Sequence, residues 1–296
     1  MTQKDAPEGF RATIRGVLAR FSEGFPPGHF YSPIPSLSSV FKREAKIFDM
    51  PPEIPGVDLN VDYQVEVLSA LSDLCADQPF IAEGPSPTRF QSPNDNFSAG
   101  EACVYYGLLR YWRPRRVIEI GSGYSTLVLL DTLDRSDMHT TECLAIEPYP
   151  DLLRKLLRPD DVGRVQILEQ ELQDVPLDVF AKLEPNDVLF IDSTHVAKTG
   201  SDVNTIFFHV LPYLAVGVCV HIHDIYYPFE YPKEWVRQGR AWNEAYMLRA
   251  FLQYNPTFRI CFFNSYMAAF HRHLLKQSMY AYALQPGSSL WLRKVS

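Results

Sequence analysis

From residue 116 onward one texture repeats: a short, almost wholly apolar run, then apolar residues at helical spacing, then another run. RVIEIG (116–121), CLAIE (143–147), RVQILE (164–169), DVLFID (187–192) and GVCVHIH (217–223) form the series, and FRICFFN (258–264) and SLWLRK (289–294) close it. A strand that is apolar along its whole length has no face to give to water, so helices must cover both faces of its sheet. The alternation predicts an α/β fold with a doubly wound, Rossmann-like, mostly parallel sheet. Helices are expected over 98–111, ending before Pro114, and over 125–133.

The first 95 residues differ in kind. Twelve of the 23 prolines fall there, in FPPGHFYSPIPS, FDMPPEIPG and neighbouring stretches. Between them run a short amphipathic pattern (Phe10, Ile14, Val17, Leu18, Phe21) and a second helical pattern in YQVEVLSALSDL. This reads as an N-terminal proline-rich arm, 1–95, draped over a domain formed by 96–296.

Composition narrows the function classes. At 46% hydrophobic, the 296 residues exclude global disorder. The longest uncharged apolar stretch, Tyr213 to Val220, has eight residues, against the roughly 20 of a membrane-spanning helix. No basic-then-apolar leader opens the chain. A net charge of −7 without a basic cluster argues against a phosphate backbone as partner. The five cysteines (Cys75, Cys103, Cys143, Cys219, Cys261) are scattered, odd in number and without a C-x-x-C pair. They read as free thiols of a reducing compartment rather than as a zinc site or disulfide framework. The expectation is a cytoplasmic protein with no nucleic-acid or membrane partner, and a homo-oligomer is left open.

In open sheets of this kind ligands bind beyond the carboxyl ends of the strands, where the strand order reverses. The first run leads into Glu119-Ile120-Gly121-Ser122-Gly123-Tyr124-Ser125-Thr126. Glycines at 121 and 123 allow a tight turn and close approach of a ligand, and a helix starting at Tyr124 and Ser125 offers unpaired N–H groups. The second run ends at Glu147, whose carboxylate can accept both hydroxyls of a ribose. A dinucleotide fingerprint would put its third glycine where Thr126 stands, which weighs against a nicotinamide-dependent oxidoreductase.

The E-x-G-x-G turn and the acid ending the second run resemble the class I S-adenosylmethionine-dependent methyltransferases. The resemblance covers about 98–293 and implies that the turn wraps the methionine portion of the cofactor while the acid holds its ribose. These roles fall on Glu119, Gly121, Ser122, Gly123 and Glu147, with Tyr124 and Ser125 completing the turn. It further implies that SLWLRK is the antiparallel edge strand of that fold.

The fourth run ends in Asp192-Ser193-Thr194-His195 and the fifth in His221-Ile222-His223-Asp224. Adjacent strands lie about 4.8 Å apart, so as neighbours these two would bring Asp192, His223 and Asp224 to one place. Two carboxylates and an imidazole there make a candidate site for Mg or Mn, the imidazole shifting the balance towards Mn, Fe or Zn. His221, one pleat deeper, reads as structural.

This spacing is similar to that of the metal-dependent O-methyltransferases of the catechol and macrolide-sugar types. In those a base stands three residues after the strand-four Asp, a position held here by His195. The usual acid or amide that opens the strand-five pair is replaced by His223. The resemblance implies divalent-metal-assisted methyl transfer to a hydroxyl of a small molecule or glycan, with His195 as general base. A non-catalytic S-adenosylmethionine-binding partner protein is the alternative. The aromatic run 225–232 with Trp235, and Phe30-Tyr31-Ser32-Pro33 in the arm, are candidate substrate walls.

Overall fold

The computed structural model describes residues 25–80 and 87–296. The amphipathic pattern at Phe10, Ile14, Val17, Leu18 and Phe21 lies outside the described residues. Two compact units are present: a small one of 25–49 with Pro232–Ala241, and a large one of Met50–Tyr231 with Trp242–Ser296. In the small unit, helix Leu37–Lys42 is capped by Ser36, whose hydroxyl accepts the Ser39 N–H. Arg237 of helix Lys233–Arg237 lies over the Phe41 ring at 4.6 Å, and Lys233 pairs with Glu44. Phe30 and Tyr31 are exposed in this unit, and Trp235 belongs to it as well.

The large unit carries the sheet and four helices of nine or more residues: α1 (Val61–Leu74), α2 (Ala99–Trp112), α3 (Tyr124–Arg135) and α4 (Glu244–Leu252). Helix α1 buries Val67, Leu68 and Leu71, spaced to fall on one face, against α2 and the outermost strand. Helix α2 is buried on nearly every side and begins with a reciprocal cap. The Ser98 hydroxyl accepts the Glu101 N–H, and the Glu101 carboxylate reaches back to the Ser98 N–H at 3.0 Å.

Each apolar run becomes a strand: β1 (Arg116–Ile120), β2 (Glu142–Ile146), β3 (Val165–Leu168), β4 (Val188–Ile191), β5 (Cys219–Ile222), β6 (Phe258–Phe263) and β7 (Leu290–Lys294). The order is β3-β2-β1-β4-β5-β7-β6, with β1 to β5 pairing in parallel. Strand β7 runs antiparallel to both its neighbours and sits one place in from the margin, with β6 outside it. The chain builds outwards from β1 to β3, then returns to lay β4 against the other side of β1. The crevice therefore opens between the carboxyl ends of β1 and β4.

At that reversal the strands approach as closely as backbone allows. The Asp192 N–H donates to the Ile120 carbonyl at 2.8 Å, and the Gly121 N–H to the Ile146 carbonyl at 3.0 Å. Gly121 adopts φ +79°, and a β-carbon on it would fall 1.8 Å from the Asp192 carbonyl oxygen. Only glycine fits there. One strand further, the His223 N–H bonds the Ile191 carbonyl at 2.9 Å, so the parallel ladder carries the Asp192 and His223 side chains to the crest of the sheet together.

Candidate active site

A cleft of about 520 Å³ opens at the crest. Gly121, Glu147, Tyr149, Leu172, Asp192 and Ser201 are among the residues that line it. Glu147 sits between two backbone donors: Oε2 accepts the Ser122 N–H at 3.2 Å and Oε1 the Tyr149 N–H at 2.9 Å. Of the turn residues singled out by sequence, Gly121 and Glu147 reach the cleft wall. Ser122, Gly123, Tyr124 and Ser125 form the turn and the start of α3 behind it. Glu119 lies beneath, 1% exposed, and accepts the Thr126 hydroxyl, which in turn accepts the Gly123 N–H at 3.3 Å. Burial pushes the Glu119 carboxyl up to about 7. Its position makes it the brace of the turn.

On the far side of the cleft the loop after β4 is shaped by Asp202, which accepts the Thr194 N–H at 2.9 Å and the Thr194 hydroxyl at 2.6 Å. Ser201 caps the following helix by accepting the Asn204 N–H. This loop turns His195 back over the strand ends with φ +60°, while Asp224 has φ +57°. Left-handed backbone at two non-glycine residues of one cluster is strain of about 1–3 kcal/mol each, held by the surroundings. For His195 those surroundings include its own carbonyl, which accepts the N–H groups of Asn243 and Glu244 at 3.1 and 3.2 Å.

The strand ends bring Asp192, His195, His223 and Asp224 together. Asp192 Oδ1 is 3.4 Å from His195 Nε2 and 3.4 Å from His223 Nδ1. Asp224 faces the same two nitrogens, Oδ2 at 3.6 Å from His195 and Oδ1 at 3.6 Å from His223. The four groups thus make a ring of alternating nitrogen and oxygen. Among the described residues, no set of three or more His, Cys, Asp or Glu side chains is placed so that it could hold a metal ion. The ring edges are longer than hydrogen bonds.

Behind each imidazole stands a buried glutamate that sequence reasoning did not single out. His195 Nδ1 is 2.9 Å from Glu244 Oε2, and His223 Nε2 is 3.1 Å from Glu101 Oε1. Glu101 is also fixed by the Ser288 N–H at 2.9 Å, and it fits only because Gly287 (φ +70°) leaves room: a β-carbon there would lie 2.0 Å from Glu101 Cγ. Trp242 covers the His195 ring at 4.5 Å, and Phe97 stacks on His223 at 5.5 Å.

This much charge under cover shifts Asp192, the two imidazoles and the two glutamates behind them. Burial opposes a charged His195, but Asp192 and Glu244 outweigh it and raise the ring to about 9. His223 is raised well above its ordinary value by Asp192, Asp224 and Glu101, again against burial. Burial also opposes the Asp192 and Glu101 charges; the imidazoles nevertheless hold Asp192 far below the carboxylate range and Glu101 at about 2. Glu244 is pushed up by burial, while His195 pulls it down.

The remaining candidates go elsewhere. His221 is fully buried, bonds Ser289 at 2.9 Å and stacks on Phe190, a core residue. Ile225, Tyr227, Phe229 and Tyr231 are buried, so alternate residues of the run after Asp224 pack the loop onto the core. The five cysteines are free and buried. No helix among the described residues is long and apolar enough to cross a membrane.

Comparison with known proteins agrees with this layout. Residues 118–225 match the family described as a methyltransferase domain. An uncharacterized protein of Archaeoglobus fulgidus is 37% identical over 168 residues, which are 55% of this chain and 75% of that protein. Among solved structures, the chain is similar to the Podospora anserina methyltransferase PaMTH1 bound to SAH, at 16% identity over 92% of this chain and 99% of that one, with a TM-score of 0.44. It is also similar to the O-methyltransferase TomG of Streptomyces achromogenes in complex with SAM, at 14% identity over 88% and 96% of the two chains, with a TM-score of 0.42. The matched segment gives this chain a methyltransferase domain over residues 118–225.

Proposed function

We propose that the protein methylates a hydroxyl oxygen of a small molecule or glycan, assisted by a divalent cation held by Asp192, His223 and Asp224. Glu147 would take the cofactor ribose and the Gly121 turn its methionine portion. The observation that carries the reading is the shared position of Asp192, which lines the cofactor cleft and belongs to the donor ring. What supports a cation there is His223, which is 4% exposed and whose Nδ1 faces the two aspartates without a hydrogen bond to any described residue.

In the reaction a hydroxyl oxygen attacks the methyl carbon in line with the S–CH₃ bond. The C–O bond forms, the S–C bond breaks, S-adenosylhomocysteine departs, and the hydroxyl proton must leave. A bound divalent ion would lower the pKa of an adjacent hydroxyl by several units. Glu147 and the turn fix where the sulfonium lies, and holding both reactants in line supplies much of the rate. In the role implied by its place after Asp192, His195 accepts the proton while Glu244 steadies the resulting charge.

Incubation with methyl-labelled S-adenosylmethionine and a panel of catechols, sugars and hydroxylated metabolites tests the reading. Alkali-stable label in an acceptor is expected, abolished by chelator and restored by added divalent ion. Turnover that is undiminished in chelator would remove the cation, and label only on nitrogen or in labile esters would remove the hydroxyl.

A further inference from the structure

We infer that Asn243 is a positioning residue for the reaction: it holds the His195 loop in the backbone conformation that turns Nε2 over the strand ends. The inference rests on the reading above, in which His195 accepts the hydroxyl proton, and adds to it a residue that acts through that histidine.

The need for such a residue comes from the backbone. His195 has φ +60°, a region where the β-carbon of an L residue crowds the following carbonyl oxygen. A loop left to itself would relax out of it, and Nε2 would then lose its place beside Asp192 and Asp224. The turn has to be held from outside.

Three polar groups of Asn243 hold it. Its N–H donates to the His195 carbonyl at 3.1 Å. Two residues further along the loop, its side chain pairs both backbone groups of Ala197. Oδ1 accepts the Ala197 N–H at 2.6 Å, and Nδ2 donates to the Ala197 carbonyl at 3.1 Å. The carboxamide stands in for a strand neighbour, so the loop is gripped on His195 and again on Ala197.

Asn243 gives up an ordinary role to do this. It stands at the N-cap of α4, where an asparagine side chain commonly accepts an N–H of its own helix, yet it makes no such bond. Functional sites are where local rules of this kind tend to be broken. The same turn of chain delivers both its neighbours to the same histidine. Trp242 lies over the ring at 4.5 Å, and Glu244 Oε2 is 2.9 Å from Nδ1. Ring face, backbone and inner nitrogen are thus met by three consecutive residues.

The test reads the histidine itself, by nuclear magnetic resonance of the full chain carrying isotope-labelled histidine, with chelator present. The Nδ1 proton shared with Glu244, identified by its absence from His195→Gln, is expected as a slowly exchanging resonance. Asn243→Ala should broaden or lose it while S-adenosylhomocysteine binds with unchanged affinity. Asn243→Asp, of the same shape, sets an oxygen against the Ala197 carbonyl and should do the same, which separates lost pairing from lost packing. On any acceptor that takes label from S-adenosylmethionine, both variants should lower kcat about 10–100-fold with the KM for S-adenosylmethionine unchanged. The resonance decides the matter even where no acceptor in the panel takes label. A wild-type resonance in both Asn243 variants, or an effect confined to KM, would overturn the inference and leave the reading of His195 standing. Full turnover by His195→Gln would overturn that reading and the inference with it.

Discussion

At the scale of single residues the site depends on how closely backbones can meet. Gly121 touches the Asp192 carbonyl in a conformation that L side chains rarely adopt. Gly121→Ala should therefore push the ends of β1 and β4 apart. We expect a loss of about 1–3 kcal/mol of stability, read by urea denaturation, together with a larger drop in S-adenosylhomocysteine affinity than the stability change explains. Equal stability and equal affinity would contradict the close contact. That glycine was legible because glycine spacing after an apolar run has a backbone meaning. Glu101 and Glu244 were not legible. Each meets its histidine across a long stretch of chain, 122 positions for Glu101 and 49 for Glu244, and nothing local to either marks it.

At the scale of elements the strands were readable for a physical reason. A fully covered parallel strand has to be apolar throughout, and all seven apolar runs became strands of one sheet. The place of β7 was harder, since insertion between β5 and β6 depends on pairing rather than on its own residues. Of the two helical patterns read in the first 95 residues, the one within the described residues is α1, whose face of Val67, Leu68 and Leu71 is buried in the sheet unit. The start of α2 offers a test at this scale. Ser98→Ala removes the acceptor for the Glu101 N–H and a hydroxyl bonded to the Glu101 carboxylate at 2.9 Å. A cost of about 0.5–2 kcal/mol is expected, and calorimetry would register it as a lower Tm; an unchanged Tm would mean that the N–H groups of residues 98 and 288 and His223 suffice to hold Glu101.

For the molecule as a whole, acid stability turns on Arg89. Its guanidinium gathers Asp161 at 2.6 Å, Asp134 at 2.8 Å and Asp131 at 3.0 Å, tying the segment before α2 to α3 and to the turn that precedes β3. Burial works against the Asp134 and Asp161 charges, yet Arg164 and Arg89 outweigh it at Asp134, and Arg89 does so at Asp161, so both carboxyls lie below their ordinary values. A folded value beneath the unfolded one adds stability above about pH 4 and loses it as pH falls through the folded values. Tm should accordingly drop on acidification below about pH 4. Arg89→Ala leaves Asp131 buried without its cation and Asp161 with only Arg164 at 3.6 Å, and should cost about 3–5 kcal/mol at neutral pH, while flattening the acid limb. A variant within experimental error of wild type in urea at pH 7 would show that the cluster is a bystander.

The carboxylate of Glu101 has a consequence for how such a chain can change over time. One oxygen ends a helix and the other steadies an imidazole, with Gly287 leaving just enough room for both. The cap of α2 and the orientation of the His223 ring are therefore written into the same three carbon-and-oxygen positions. A lineage that tunes one inherits a change in the other, so paired substitutions at 101 and 287, not single ones, are the route by which this fold would turn that imidazole.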